Sequence, residues 1–232
     1  MSPRQKRPIL KIVALTIFAG PLLAVGLLAF IPPAVTPLMI MRAMGYQATA
    51  KLPPPQGWAY HWKSMSQIAP ALARAVIAAE DTTFCAHAGF DREAYNRAWE
   101  NYRKGVASRG GSTITQQTVT NVFLWPGRNV VRKALETTLT PVVEFVWGKR
   151  RIMEIYLNVV EWAPGVYGVE AAAQHHFQRA AHELSSRQAA LLAAVLPSPR
   201  RWSANKPGPY VESRVNTIMA RAAEVDVKCL RD

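Results

Sequence analysis

Apolar residues recur at helical spacing through most of this chain. In residues 70–80 they fall on one face, and a proline occupies the first turn. The same period predicts further helices over residues 114–123, 130–146, 149–160, 168–177 and 186–196. Ser185 or Ser186 can cap the last of these helices, and Pro197 ends it. No stretch alternates between apolar and polar residues strongly enough for a central sheet. We therefore predict a mainly α-helical domain.

A different pattern occupies the N-terminal part of the chain. Residues 12–31 carry no charge, and as a helix they would span about 30 Å, the thickness of a bilayer's hydrocarbon core. Basic residues precede this run, which predicts a cytoplasmic N-terminus. A cleaved signal peptide is the alternative, but the run is long for one and the first A-x-A match, residues 48–50, lies far downstream. The sequence predicts a basic tail over 1–11, a membrane anchor over 12–31, a stalk over 32–57 and a globular domain over 58–232.

Composition narrows the class of protein. The chain has 232 residues, of which 50% are hydrophobic and 19% charged, which excludes a mainly disordered protein. Its 28 Lys and Arg against 15 Asp and Glu give a net charge of +13. Such an excess suits nucleic acid, anionic lipid or phosphorylated ligands. No nucleic-acid-binding motif accompanies it, so we expect no nucleic-acid partner.

Cysteine and histidine contribute less to the functional interpretation. Cys85 and Cys229 have neither metal-site spacing nor a disulfide-framework pattern. They can pair in an oxidising compartment or remain two buried thiols, and the sequence leaves both possibilities open. His87, His175 and His176 lack the spacing of a metal site, which favours ordinary packing or surface roles.

Glu80 and Asp81 end the first predicted helix of the domain. A carboxylate at a helix C-terminus faces the negative end of the dipole, which raises its pKa, as apolar neighbours do. A glutamate tuned in this way can act as a general base near neutral pH. A solvated helix end closed by a salt bridge is the alternative, and these two residues alone favour it.

Two further segments carry candidate chemistry. Residues 110–111 are a glycine pair followed by Thr113-x-x-Gln116, which matches a capping box that opens a helix. Exposed N–H groups at such a helix start bind anions, but a glycine pair before a helix is usually only a turn, so this phosphate signal is weak by itself. Arg132 and Glu136 lie one helical turn apart. They form either an intrahelical ion pair or a cationic cleft with a second carboxylate facing the first.

Together these segments resemble the peptidoglycan glycosyltransferases of family 51, in their monofunctional biosynthetic transglycosylase form. The resemblance covers about residues 58–210 and rests on five ordered motifs. The motifs are Glu80-Asp81-x-x-Phe84-x-x-His87-x-Gly89, the GGSTITQQ run at 110–117, Arg132-Lys133-x-x-Glu136, the KRRIMEIYLN run at 149–158, and residues 168–173 with the following helix at 189–197.

The resemblance implies a lysozyme-like domain with a small membrane-proximal lobe, the jaw, of which residues 122–126 would be a lipid-facing part. Such enzymes polymerise lipid II on the outer face of the cytoplasmic membrane. The 4-hydroxyl of the acceptor GlcNAc attacks C1 of the donor MurNAc, which gives an inverted β-1,4 link and releases undecaprenyl diphosphate. The implied partners are lipid II, the growing glycan chain, the inner membrane and other wall-synthesis or division proteins. The catalytic domain would be periplasmic.

The resemblance also assigns residues to roles. Glu80 would be the base, and Glu136 would orient cations or the acceptor. Diphosphate leaves without a proton, so it needs positive charge rather than an acid. A divalent cation, Mg²⁺ or Mn²⁺, could add to that charge, and no organic cofactor is implied. The implied substrate-binding residues are Asp81, Phe84, His87, Arg97, Arg109, Gly111, Ser112, Thr113, Gln116, Gln117, Thr120, Asn121, Arg128, Arg132, Lys133, Tyr156 and Asn158.

One position departs from the family pattern. Where the family usually places a lysine before the asparagine, this chain has Thr120 before Asn121. Threonine offers a hydrogen bond but no charge, so Arg128, Arg109 or a metal must compensate, or activity falls. The sequence leaves two other functions open. One is a lytic enzyme that cleaves glycan strands, since lysozyme-like folds host both reactions; the other is a catalytically weak membrane-anchored scaffold.

Overall fold

The computed structural model describes residues 19–45, 58–104, 111–127 and 129–231. Sequence predictions for the N-terminal tail, the first part of the anchor, the second part of the stalk, Arg109 and Arg128 lie outside the described residues.

Helices dominate the described chain. They are α1 (residues 19–28), α2 (Pro37–Ala43), α3 (Pro70–Glu80), α4 (Arg92–Arg103), α5 (Ile114–Phe123), α6 (Val130–Val159), α7 (Val169–Phe177), α8 (Ser186–Val195) and α9 (Pro209–Ala222). Short 3-10 turns lie at Met65–Gln67, Ala181–Glu183 and Lys228–Leu230, and the strands are β1 (Ala59–Tyr60), β2 (Glu161–Ala163) and β3 (Val166–Tyr167).

The helix predictions are confirmed where local signals are strong. Both ends of α3 and α5 agree with the sequence, because a proline opens α3 and the capping box of Thr113 and Gln116 opens α5. The two helices predicted over 130–160 form one element, α6, interrupted at Gly148 with φ 66°. Helices α4 and α9 were not predicted.

Two groups of helices form the core. Helix α5 packs along α6, while α3 packs against α8 and α9. The facing sides of α3 and α8 are rich in alanine, and small side chains let helices approach closely. The end of α3, which carries Glu80, is therefore held between these groups.

The sheet is small and lies beside the helices, which agrees with the prediction that no central sheet forms. Its order is β1-β3-β2, with β1 parallel and β2 antiparallel to β3. Gly168 follows β3 with φ 79°, and a Cβ there would lie 2.7 Å from the carbonyl oxygen of Asn158. This close approach brings α7 against the end of α6 and requires glycine.

A disulfide links Cys85 to Cys229, with the two Cα atoms 5.4 Å apart. It joins the turn after α3 to the last 3-10 turn, 144 residues later. The question that the sequence left open is thus answered in favour of pairing.

The described part of the predicted anchor and stalk packs on the domain. Trp147 Nε1 donates to the Val25 carbonyl at 2.8 Å, and Arg151 donates to the carbonyls of Leu28 and Ile31. Farther along, Met39 of α2 is buried. Residues 32–45, assigned to the stalk, therefore contact the folded domain, and the division of the chain into anchor, stalk and domain stays a prediction. Among the described residues, no helix has both the length and the apolar character needed to cross a membrane.

Candidate active site

Glu80 is the last residue of α3, and its side chain is 14% exposed. The carboxylate accepts a hydrogen bond from Gln117 Nε2 at 3.2 Å and one from the guanidinium of Arg214 at 3.2 Å. Helix α5 supplies Gln117 and α9 supplies Arg214. Three helices from distant parts of the sequence thus converge on one carboxylate.

Burial raises the pKa of Glu80 above its ordinary value, and the Gln117 hydrogen bond and the charge of Arg214 oppose part of this rise. The predicted direction of the pKa shift is confirmed. The alternative of a solvated helix end was wrong about solvation but right about the salt bridge, since Arg214 pairs with Glu80. A desolvated carboxylate with one cation and an open side suits a general base.

Tyr156 holds the glutamine that contacts this base. It is fully buried on α6, and its hydroxyl donates to Gln117 Oε1 at 3.0 Å. Because the amide oxygen is taken by the hydroxyl, the amide nitrogen points at Glu80. Tyr156 therefore positions Gln117 and does not reach the cavities beside the site.

Asp81 links the end of α3 to the start of α5. Its carboxylate accepts from the Ile114 backbone N–H at 2.9 Å, at the start of α5, and from His87 Nε2 at 3.0 Å. His87 Nδ1 in turn accepts from the Gly89 N–H, and the Thr113 hydroxyl donates to the Gly89 carbonyl. This network fixes the end of α3 against the start of α5.

Glu136 is the second carboxylate, and only 3% of the residue is exposed. Gln116 Nε2 donates to it at 3.2 Å and Arg132 donates at 3.2 Å. Lys133 forms a further ion pair with it. Arg132 and Glu136 therefore form the intrahelical ion pair of the first interpretation, and both also line a cavity. That Glu136 faces Glu80 across a cleft stays a prediction.

Thr120 belongs to this second cluster. Its hydroxyl donates to Glu136 Oε2 at 3.1 Å and accepts from Arg132 at 3.1 Å. The position that carries a lysine in the family pattern is therefore neutral here and already hydrogen-bonded to both charges.

A cavity of about 360 Å³ lies along α5 and the start of α6. Gln116, Gln117, Thr120, Arg132 and Glu136 contribute to its walls. Ser112 lines this cavity and also a second one, of about 260 Å³, that contains Glu80 and Arg214. The two glutamates thus open into adjoining spaces on either side of the α5 N-terminus, which together form a groove.

Some of the predicted site residues line a cavity, and others contact further residues of the site. The residues that line the groove are Gly111, Ser112, Gln116, Gln117, Thr120, Asn121 and Arg132. Arg97 lines a third cavity, which shares Glu80, Gly111 and Ser112 with the groove.

Phe84 and Asn158 are buried away from the groove. Phe84 is fully buried with Lys149 Nζ 4.4 Å above its ring, so it belongs to the core. Asn158 is also fully buried, and its side chain bonds to the backbone of Lys63 at 2.8 Å. Tyr156 and His87 contact other site residues, as described above, while Asp81 also lines the third cavity. These contacts hold the site together, and substrate contacts at the motif positions stay predictions.

A divalent cation was predicted to add to the positive charge of the cluster around Glu136. Both oxygens of Glu136 are engaged by protein donors, two of which are cationic. Within the described ranges, no group of three His, Cys, Asp or Glu side chains could hold a metal. A dependence on Mg²⁺ or Mn²⁺ stays a prediction.

Sequence reasoning missed Arg214, Arg42 and Glu161. Arg214 contacts Glu80 from α9, a helix that was not predicted. Arg42 and Glu161 also line the 360 Å³ cavity, with Arg42 Nε 3.6 Å from Glu161 Oε2. Arg42 lies in the segment assigned to the stalk, where no motif pointed to a function.

Comparisons with known proteins show the family to which the chain belongs. A family model described as Transglycosylase matches residues 49–223. A protein of Caulobacter vibrioides named biosynthetic peptidoglycan transglycosylase is 50% identical over 215 residues, which cover 93% of this chain and 90% of that protein. A protein with the same name from a Jannaschia species is 57% identical over 162 residues, which cover 70% of this chain and 66% of that protein. Another, from Shewanella oneidensis, is 42% identical over 219 residues, which cover 93% of this chain and 92% of that protein.

Proposed function

Since the chain belongs to the transglycosylase family and is a peptidoglycan glycosyltransferase that polymerises glycan strands, we propose that it uses lipid II as its substrate, with Glu80 as the base. In the proposed reaction the 4-hydroxyl of the acceptor GlcNAc loses its proton to Glu80 and attacks C1 of the donor MurNAc. The C1–O bond to the diphosphate breaks, which inverts C1 and releases undecaprenyl diphosphate.

The observation that carries this proposal is the contrast in charge around the two glutamates. Glu80 has one cationic partner and a pKa raised by burial, which suits a group that must take up a proton. Glu136 has two cationic neighbours, Arg132 and Lys133, within a cavity. A cationic cluster suits a leaving group that departs as an anion.

A lytic reaction is less well supported, because its leaving group is a sugar hydroxyl that needs a proton and no positive charge, whereas Glu136 lies between two cations in the cavity. The groove's positive charge would have no role in such a reaction. A scaffold without activity would not require the convergence of three helices on Glu80.

We further propose that the chain is anchored in the inner membrane with its catalytic domain in the periplasm. The uncharged run at 12–31 supports the anchor. In its described part, large apolar side chains are exposed, among them Leu23, Leu27 and Phe30. The Cys85–Cys229 disulfide supports an oxidising compartment.

Incubation of the purified full chain with lipid II, followed by separation of the products on a gel, tests the function. A ladder of glycan strands is expected, whereas shortening of added strands would indicate a lytic enzyme and no change would indicate a scaffold. For the location, a reporter that is active only in the periplasm should work when fused after Asp232. A reporter that fluoresces only in the cytoplasm should stay dark there, and the opposite pattern would contradict the orientation.

A further inference from the structure

The groove has a second charged cluster that the reaction described above does not use. Glu161 is buried, and two arginines flank it: Arg42 Nε lies 3.6 Å from one oxygen and Arg200 Nε 3.7 Å from the other. Glu136, which lines the same cavity, also has two cationic neighbours. Each carboxylate is therefore outnumbered by cations, which leaves both clusters with positive charge.

Arg42 reaches this cavity from an unexpected part of the chain. It lies in the last turn of α2, outside the region 49–223 that matches the family model. The hydroxyl of Thr36 caps α2 by accepting from the Met39 N–H at 3.3 Å, both residues are buried, and α2 packs against α5. The guanidinium of Arg42 is therefore held in the cavity wall by a fixed helix, and its side chain is 15% exposed.

The same cavity contains the position where the family pattern expects a lysine. Thr120 and Arg42 both line it, and Thr120 is neutral. We propose that Arg42 binds a phosphate of the lipid-linked diphosphate substrate in this groove and supplies the positive charge that is missing at Thr120. This proposal rests on the proposed function and adds a binding residue to it.

The chemistry of the guanidinium and its place in the fold support this role. Arginine offers planar, bidentate donors that match phosphate oxygens. Because Arg200 also neutralises Glu161, Arg42 can turn to a phosphate without leaving that buried carboxylate without a cation. In a lipid-linked diphosphate the phosphates adjoin the membrane-embedded chain, and α2 begins at Pro37, one short segment after the apolar residues 19–31.

Arg42→Gln in the full chain tests the proposal, with Arg151→Gln as the matched control. Arg151 also holds the N-terminal segment, through the Leu28 and Ile31 carbonyls, but it does not line the cavity. We expect Arg42→Gln to raise the KM for lipid II and the inhibition constant of inorganic pyrophosphate about tenfold to a hundredfold, the range for loss of a charged hydrogen bond. Arg151→Gln should leave both constants unchanged, and Arg42→Lys should recover part of the loss. Equal effects of the two glutamine variants would overturn the proposal.

A substitution of Glu161, the partner of Arg42, distinguishes a phosphate-binding role of Arg42 from a role in neutralising Glu161. Glu161→Gln removes the carboxylate but keeps the guanidinium, so it should bind pyrophosphate at least as tightly as the wild type. If Arg42 served only to neutralise Glu161, both variants would show the same defect, which would contradict the proposal.

Thr120→Lys provides a rescue experiment. In the Arg42→Gln background it should restore much of the affinity for pyrophosphate, because it returns a cation to the same cavity. Absence of any rescue would mean that the two positions do not serve one anion, and the proposal would fail.

Two further measurements separate this proposal from its premise. If the wild type makes no polymer from lipid II, the proposed function fails. Calorimetric measurement of pyrophosphate binding to the wild type and to the Arg42→Gln protein still decides the role of Arg42. Equal binding by wild type and Arg42→Gln, or no binding by either, would overturn it. Sedimentation with phosphatidylglycerol and phosphatidylcholine vesicles tests the other phosphate source. A defect confined to binding of the anionic vesicles would assign Arg42 to lipid headgroups and overturn the diphosphate proposal.

Discussion

The two glutamates of the groove are held by neighbouring residues of one helix but lie in different electrostatic surroundings. Gln117 donates to Glu80, while Gln116 donates to Glu136. Glu80 then has one cationic partner, Arg214, and Glu136 has two, Arg132 and Lys133. One helix thus donates an amide hydrogen bond to each of the two carboxylates. The difference in their chemistry comes from the number of cations beside each one.

A second difference between the two sites lies in what fixes each glutamine. The Tyr156 hydroxyl binds the oxygen of Gln117, whereas the oxygen of Gln116 accepts the Thr113 backbone N–H at 3.0 Å. The first is a contact across the core and the second is a helix cap. The orientation of Gln117 therefore depends on the packing of α6 against α5, whereas the orientation of Gln116 is set by the local helix cap.

The largest effect is expected from Glu80→Gln. Loss of the general base should lower polymerisation about 10²–10⁴-fold, while folding and lipid II binding remain because glutamine occupies nearly the same volume. Product gels and a thermal unfolding curve measure the two properties. Glu212→Gln, at an exposed ion pair with Arg187, is the control. Wild-type rates from a folded Glu80→Gln protein would remove Glu80 from the mechanism.

Glu136→Gln should lower the free energy of unfolding more than Glu80→Gln does. The change leaves Arg132 and Lys133 beside a neutral amide, so the free energy of unfolding should fall by about 1–3 kcal/mol, the range for disrupting a hydrogen bond to a buried charged group. Glu80→Gln should cause a smaller loss. Denaturant titration of both variants checks this ranking, and equal stability of the Glu136→Gln protein and the wild type would contradict a role for Glu136 in holding the two cations.

Arg214→Gln should change the pH dependence of the rate. Burial raises the pKa of Glu80 and the charge of Arg214 lowers it, so removal of that charge raises the pKa further. The base is active when ionised, and the rate therefore falls as the pH drops through this pKa. The acidic limb of the rate profile should move to higher pH in Arg214→Gln and stay in place in the exposed control Arg187→Gln. An unmoved limb would show that Arg214 does not act on the base.

The smallest effect is expected from Thr120→Lys alone. A lysine at this position would add a third cation near Glu136 and should raise the polymerisation rate severalfold or lessen any dependence on Mg²⁺ or Mn²⁺, since charged contacts to phosphate are stronger than neutral ones. The competing outcome is repulsion from Arg132, which the Thr120 hydroxyl now contacts. A lower rate at every metal concentration would indicate that the site has already adapted to threonine.

Local physical chemistry was sufficient for much of this protein. A proline and a capping box determine where α3 and α5 begin, and α3 ends at Glu80, as its apolar period predicted. These signals act within a few residues, so the sequence alone predicted the elements that carry Glu80, Gln116 and Gln117. The family motif then identified both glutamates.

Only the tertiary structure decided which residues surround those glutamates. Arg214 reaches Glu80 from 134 positions away, and the disulfide joins residues 144 positions apart. Arg42 enters the groove from a segment predicted to be a stalk, while Phe84, a motif residue, is buried in the core. Burial and charge pairing depend on which distant helices pack together, and the spacing of residues along a single helix carries no information about that packing.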